Sequence, residues 1–146
     1  MSGAKIEVNA QYPCSVATLW EELRHIDRHV NWMMDAESIE FLSDQVEDVG
    51  TEFVCHTKVG PFRTKDVLRI TQWIAPTTMG VEHRGIVTGE GTFTLSALSE
   101  NQTTLVWREE LHFPWWGLGG LGARVAKPVL KRIWKGNLRR LGASIH

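Results

Sequence analysis

The stretch Thr103-Thr104-Leu105-Val106-Trp107-Arg108-Glu109-Glu110-Leu111-His112-Phe113 repeats its apolar residues at every second position. The stretch Leu130-Lys131-Arg132-Ile133-Trp134-Lys135-Gly136-Asn137-Leu138-Arg139-Arg140-Leu141 repeats them at every third or fourth. A half-buried strand therefore gives way to an amphipathic helix, and this change of period decides the fold. Between them Pro114-Trp115-Trp116-Gly117-Leu118-Gly119-Gly120-Leu121-Gly122 forms an apolar, glycine-rich hinge. The spacing predicts a helix from about Gly120 to Ser144. Leu130, Ile133, Trp134, Asn137, Leu138 and Leu141 give it a wide buried face, with Lys131, Lys135 and Arg139 on the wetter side. Pro128 predicts a kink or a helix start.

Upstream, the period of two holds from Ser38 to Phe113 and predicts six strands, at about 37–43, 51–59, 62–74, 78–86, 90–98 and 103–113. The breaks between them, such as Gly60-Pro61 and Ala75-Pro76, are short, so neighbouring strands are antiparallel. Lys5 to Ala10 alternates as a further strand. After Tyr12-Pro13, with Pro13 suited to a first helical turn, Val16, Leu19, Trp20 and Leu23 form a helical stripe. A second short helix or turn covers Ile26 to Val30 and ends near Trp32.

The alternation also assigns faces. Charged neighbours place Phe53, Cys55, Thr57 and Val59 inside. The same test sends in Leu68, Ile70, Gln72 and Ile74, then Phe93 and Leu95. Leu105, Trp107 and Leu111 take Glu109 inside with them, and Val81 takes His83. A slip of one residue would put Arg84 and Glu110 inside instead.

The chain has 146 residues, 42% of them apolar and 23% charged, the proportions of one ordinary globular domain. Seven tryptophans against one tyrosine point to a core or cavity lined with bulky aromatic surface. Residues 114–146 hold seven basic side chains and no acidic one, whereas the first 113 residues carry a net −8. The terminal helix is thus a cationic unit on an anionic body. A net charge of −1 argues against a duplex-binding protein, so no nucleic-acid partner is expected. No apolar run approaches the ~18 residues of a membrane span, and the N-terminus has no apolar leader. Cys14 and Cys55 form no paired motif and read as reduced thiols. The expectation is a cytoplasmic protein without an integral membrane segment.

The order of short motifs is more specific than any one of them. Ala10-Gln11-Tyr12-Pro13 precedes Val16 and Leu19-Trp20, and Asp27 leads to Trp32. Arg69-Ile70-Thr71-Gln72-Trp73-Ile74-Ala75-Pro76 runs a strand into a proline turn. Gly117-Leu118-Gly119-Gly120-Leu121 leads to Leu130-Lys131-Arg132 and Leu138-Arg139-Arg140-Leu141. In this order, over nearly the whole chain, the sequence resembles the START-like (SRPBCC) superfamily, and within it the polyketide cyclase/dehydrase and lipid-transport group. The resemblance implies one α+β domain over residues 1–146 with the helix-grip fold. A curved, antiparallel, seven-stranded sheet would wrap around a long C-terminal helix, with two short helices after the first strand. It implies a cavity between sheet and helix and no cofactor. Trp115-Trp116 and Pro128 depart from the commoner pattern, at the mouth of that cavity.

Trp32, Phe53, Leu68, Ile70, Phe93, Leu95, Trp107 and Trp134 are the expected lining of a ligand site. Glu109 among apolar neighbours must find a partner or raise its pKa. His83 could be that partner, and the two would form a general acid/base pair, the candidate catalytic residues. No metal is expected: His25 and His29 share a helix face, but Asp27 lies off it and no third ligand is evident. Cys55 and His56 point to opposite sides of a strand, against a nucleophilic pair. The glycine-rich hinge lacks the Gly-Lys-Ser/Thr of a phosphate loop and reads as an apolar gate over the cavity. Three functions fit these residues. One is a carrier or sensor of a small hydrophobic, lipid-like or polyketide-like ligand. Another is a polyketide cyclase or dehydratase using Glu109 and His83. The third is an interaction module whose basic helix docks on a partner or on an anionic membrane surface.

Overall fold

The computed structural model describes residues 3–113 and 119–145, and their side chains except at 119–123. In chain order the elements are β1 (Gly3–Tyr12), α1 (Val16–Leu23), a 3-10 turn (Ile26–Asn31), β2 (Ala36–Phe41), β3 (Glu52–Val59), β4 (Phe62–Ile74), β5 (Thr78–Arg84), β6 (Thr88–Ser99), β7 (Gln102–His112) and α2 (Gly119–Ala143). The seven strands make one antiparallel sheet in the order β1-β7-β6-β5-β4-β3-β2. Short turns join consecutive strands from β3 to β7 and a longer loop, residues 42–51, joins β2 to β3, while the first strand lies beside the last. The α+β order expected from the sequence is therefore the order found. The part of the hinge at 114–118 lies outside the described residues. Its remainder, from Gly119 on, is already helical, and α2 continues through Pro128 instead of starting there.

Local sequence explains the elements. In β1 Ala4, Ile6, Val8 and Tyr12 are buried while Lys5, Glu7, Asn9 and Gln11 are exposed. The Ser15 hydroxyl accepts a hydrogen bond from the Thr18 backbone N–H at 3.2 Å and caps α1. Pro13 thus stands before the cap and not in the first turn. β4 corrects another expectation. Ile70 faces Val81, but Gln72 faces Gly80, so one extra residue is accommodated near Thr71. This bulge reverses the faces beyond it. Gln72 and Ile74 turn outward, Ile74 to 53% exposure, and Trp73 turns inward to meet Trp20 edge-on at 5.3 Å.

The helix α2 runs against the inner face, antiparallel to β7. Near its C-terminal end the Tyr12 hydroxyl donates to the Leu138 carbonyl at 2.7 Å. Farther along, the Trp134 indole stacks on Trp107 with centroids 4.6 Å apart and planes 17° from parallel. A buried polar latch fixes its register. The Asn137 amide, fully buried, donates to Asp35 Oδ1 at 2.8 Å and accepts from the Met34 N–H at 2.9 Å. The Trp134 N–H reaches Asp35 Oδ2 at 3.4 Å, and Arg140 Nε donates to the Trp32 carbonyl at 3.1 Å.

His29 sits in the aromatic core, 5.0 Å from the Trp32 ring and 6.2 Å from Phe93, and its Nε2–H donates to the Leu23 carbonyl at 2.8 Å. His25, by contrast, is half-buried and bonds Glu21 at 3.2 Å, so the two histidines do not converge. Among the described residues no group of three or more His, Cys, Asp or Glu is placed to hold a metal ion.

Asn137→Ala removes a fully buried amide and leaves the part-buried Met34 N–H and Asp35 Oδ1 without this partner, and is expected to lower unfolding stability by roughly 2–4 kcal/mol in urea titration. A loss under ~1 kcal/mol would show that the latch is idle. Burial pushes the His29 pKa from 6.5 down to about 4. The unfolded chain then binds the extra proton first, so stability declines as pH falls from 6.5 and levels off near 4. The full effect is about 3 kcal/mol. His29→Gln, which keeps a donor for Leu23, should flatten that part of the stability–pH curve; an unchanged slope would assign the loss to other groups.

Candidate functional site

Three strands carry the central pair. Glu109 on β7 and His83 on β5 both face inward and are separated by β6, whose Gly91 lies directly beside Glu109. The pair nevertheless bonds, His83 Nε2 to Glu109 Oε1 at 2.7 Å and to Oε2 at 3.2 Å. The missing side chain at Gly91 makes this reach possible. A Cβ built there would stand 1.8 Å from Glu109 Oε1, so the carboxylate occupies the space that any other residue would fill. Gly89 is similarly committed: its φ is +137°, and a Cβ would meet the Glu110 carbonyl at 1.9 Å. The register that would bring in Arg84 and Glu110 is not the one adopted, since both are exposed.

Glu109 is 7% exposed and its partner only somewhat more. Burial pulls the His83 pKa down, but the adjacent Glu109 charge and its hydrogen bond outweigh this, and the net shift is upward. The imidazolium–carboxylate form is thus held to higher pH than a free histidine would allow. Glu109, in turn, gains a partner where an isolated carboxylate would be costly.

A second polar group shares this face and was not anticipated from the sequence. Asp66 on β4 accepts hydrogen bonds from Thr57 at 2.8 Å and Thr64 at 3.2 Å through Oδ2. Its Oδ1 is buried and has no hydrogen-bond partner among the described residues. Asp66 precedes Leu68 by two positions, so strand parity alone could have placed it inside. Cys55 lies opposite Asp66, and burial raises its pKa to about 11, leaving it a thiol and a poor nucleophile.

All eight residues expected to line a ligand site are in the core, none more than 8% exposed. Trp32, Phe93, Trp107 and Trp134 pack on one another at centroid distances of 4.6 to 6.3 Å. The indoles therefore occupy the space between sheet and helix at this level. Toward the β3–β4 and β5–β6 turns the covering thins. There Cys55, Thr57, Val81, His83 and Phe113 on the sheet, and Leu130 and Ile133 on α2, are only half-buried. The stacked tryptophans form the floor of this inner region, and the His83–Glu109 pair and Asp66 are its polar points. Behind the pair, on the outer face, a shallow recess of about 410 Å³ carries Lys5, Glu7, Glu90, Arg108 and Glu110.

No family model matches the chain, and no curated protein matches it in sequence. Solved structures do. The Zhui aromatase/cyclase from Streptomyces sp. R1128 superposes with a TM-score of 0.79 at 16% identity, over 97% of this chain and 93% of that one. A START superfamily protein from Mycobacterium smegmatis gives 0.77 at 9% identity, over 97% and 96%. The di-domain aromatase/cyclase StfQ of the steffimycin biosynthetic pathway gives 0.80 at 13% identity; 97% of this chain covers 50% of that one. The chain thus has the helix-grip fold of START-like and polyketide-cyclase proteins, as its sequence resemblance implied.

Proposed function

We propose that the protein binds a small hydrophobic molecule between the sheet and the N-terminal half of α2, above the Trp107–Trp134 floor. The observation that carries this reading is the half-buried inner face around Val81, Phe113, Leu130 and Ile133, apolar yet incompletely covered by the described residues. A guest completing that cover gains roughly 25 cal/mol for each Å² of apolar surface removed from water, before the costs of ordering. The fold shared with proteins named aromatase/cyclase and START supports the same class of ligand. Trp107 and Trp134 contribute as the base of the site, so Trp107→Ala would damage the core as much as the site.

The 2.7 Å His83–Glu109 bond favours a second reading, acid–base chemistry on a bound polyketide-like carbonyl compound. In it the His83 imidazolium donates a proton to the carbonyl oxygen, and Glu109 holds the ring in place and stabilises its charge. Activity of this kind declines as pH rises through the elevated His83 pKa, because the acid form is lost.

Titration with a fluorescent fatty acid tests the binding reading. Saturable binding is expected in the micromolar range, weakened about tenfold or more in Val81→Trp, which fills the half-buried face. Absence of saturable binding, or equal affinity in the variant, would refute it. NMR titration of the His83 ring tests the pair. Its midpoint should lie above the ordinary histidine value in the native protein and fall clearly in Glu109→Gln, where burial is opposed only by the lesser Asp66 charge. Gly91→Ala should shift it in the same direction by displacing the carboxylate. A midpoint indifferent to both changes would rule out coupling. Glu109→Gln with undiminished turnover of an aromatic polyketide would remove the catalytic reading.

A further inference from the structure

We infer that the end of the molecule formed by the β3–β4 turn, the β2 approach and the N-terminal half of α2 docks on an anionic lipid bilayer. The inference is independent of what the interior binds. The topology sets these segments toward one end of the sheet. β2 begins opposite Thr57, close to the β3–β4 turn, so the preceding Met34 lies at that end of the sheet. β7 finishes at the same end, where His112 pairs with Gly3 and Thr88. α2 runs back along β7, with Leu138 bonded to Tyr12 at the far end and Trp134 on Trp107 midway. From Trp134 to Gly119 the helix extends roughly 22 Å, long enough to reach the strand ends.

Large apolar side chains stand out from this end. Phe62 at the β3–β4 turn is 74% exposed and Met34 is 71% exposed; Val125 and Val129, one helical turn apart on α2, are 61% and 44% exposed. Basic side chains accompany them: Arg124, Lys127, Lys131, Arg132 and Lys135 along the exposed side of α2, with Lys58 and Lys65 near Phe62 but on the outer sheet face. Arg63 pairs with Glu37 at 3.3 Å. Glu82, Glu90 and Glu110 lie on the outer sheet face, away from the helix side. No acidic residue occurs from Pro114 onward. Other exposed apolar residues, Leu42, Val46, Val49 and Leu98, lie at the opposite end, but there they stand among Asp44, Glu47, Asp48 and Glu100. An anionic surface would attract the first end and repel the second.

The form of the first end points to a bilayer over a folded partner. Among the described residues its exposed apolar groups come from separate segments, Phe62 from the β3–β4 turn and Val125 and Val129 from α2. Separate projections accompanied by cations suit a fluid interface, which accepts each side chain individually while its headgroups meet the lysines.

Sedimentation with vesicles tests the inference. Binding is expected to vesicles containing phosphatidylserine and not to pure phosphatidylcholine, and to be lost at about 0.5 M salt. Lys127→Glu/Lys131→Glu should weaken it at least about tenfold. Phe62→Asp should weaken it measurably, while Leu98→Asp at the opposite end leaves it unchanged. Circular dichroism confirms that these exposed substitutions fold. No binding to the anionic vesicles, or equal binding to neutral ones, would overturn the proposal. Capture by soluble polyglutamate as strong as by vesicles, and insensitive to Phe62→Asp, would overturn it in favour of an acidic protein partner.

Discussion

The buried amide of Asn137 holds the molecule's two halves in register. Its hydrogen bonds to Asp35 and Met34, with Arg140 on the Trp32 carbonyl, tie α2 to the loop that leads into β2. Hydrophobic burial presses the helix onto the sheet but is indifferent to small slides along it. A fully buried amide is not indifferent, because any slide leaves donors and acceptors unpaired at a cost of roughly 1–3 kcal/mol each. The indole stack of Trp107 on Trp134 then falls midway along the sheet, and everything beyond it is set. The covered aromatic core lies on one side of that stack and the thinner, half-buried region on the other.

Within that region one absent side chain organises the chemistry. Glu109 and His83 belong to strands that are not neighbours, and they meet only across Gly91. The carboxylate and the imidazole satisfy each other in a place where either alone would be expensive to bury. The arrangement has opposite consequences for two histidines. His83, beside a charge, has its pKa raised; His29, among aromatic rings with a backbone carbonyl for company, has it lowered to about 4. The first favours its proton and the second resists it. Their contributions to stability therefore run in opposite senses with pH.

Charge and shape extend the same polarity to the surface. The loop between β2 and β3 and the β6–β7 turn carry acids, while the exposed side of α2 is basic. The half-buried inner face lies toward the basic end. A hydrophobic guest in that face and a lipid surface at that end would be adjacent, which makes the two proposals compatible while leaving each open to its own test.

Much of this was legible in the linear chain. Period-two and helical spacing located all seven strands and both α-helices, with β4 matched to its ends, because alternation and stripes are local consequences of burying one face. The same parity put Glu109 and His83 inside. It failed at Gln72, Ile74 and Trp73, because a bulge is a choice made between paired strands and leaves no mark in one strand's pattern. The sequence by itself thus determined which elements form and which residues seek the interior. Tertiary structure alone decided that β1 closes beside β7, that Gly91 opens a passage between two non-neighbouring strands, and that the expected lining tryptophans pack on one another. Each of these depends on distances between segments far apart in the chain, and local spacing carries no information about such distances.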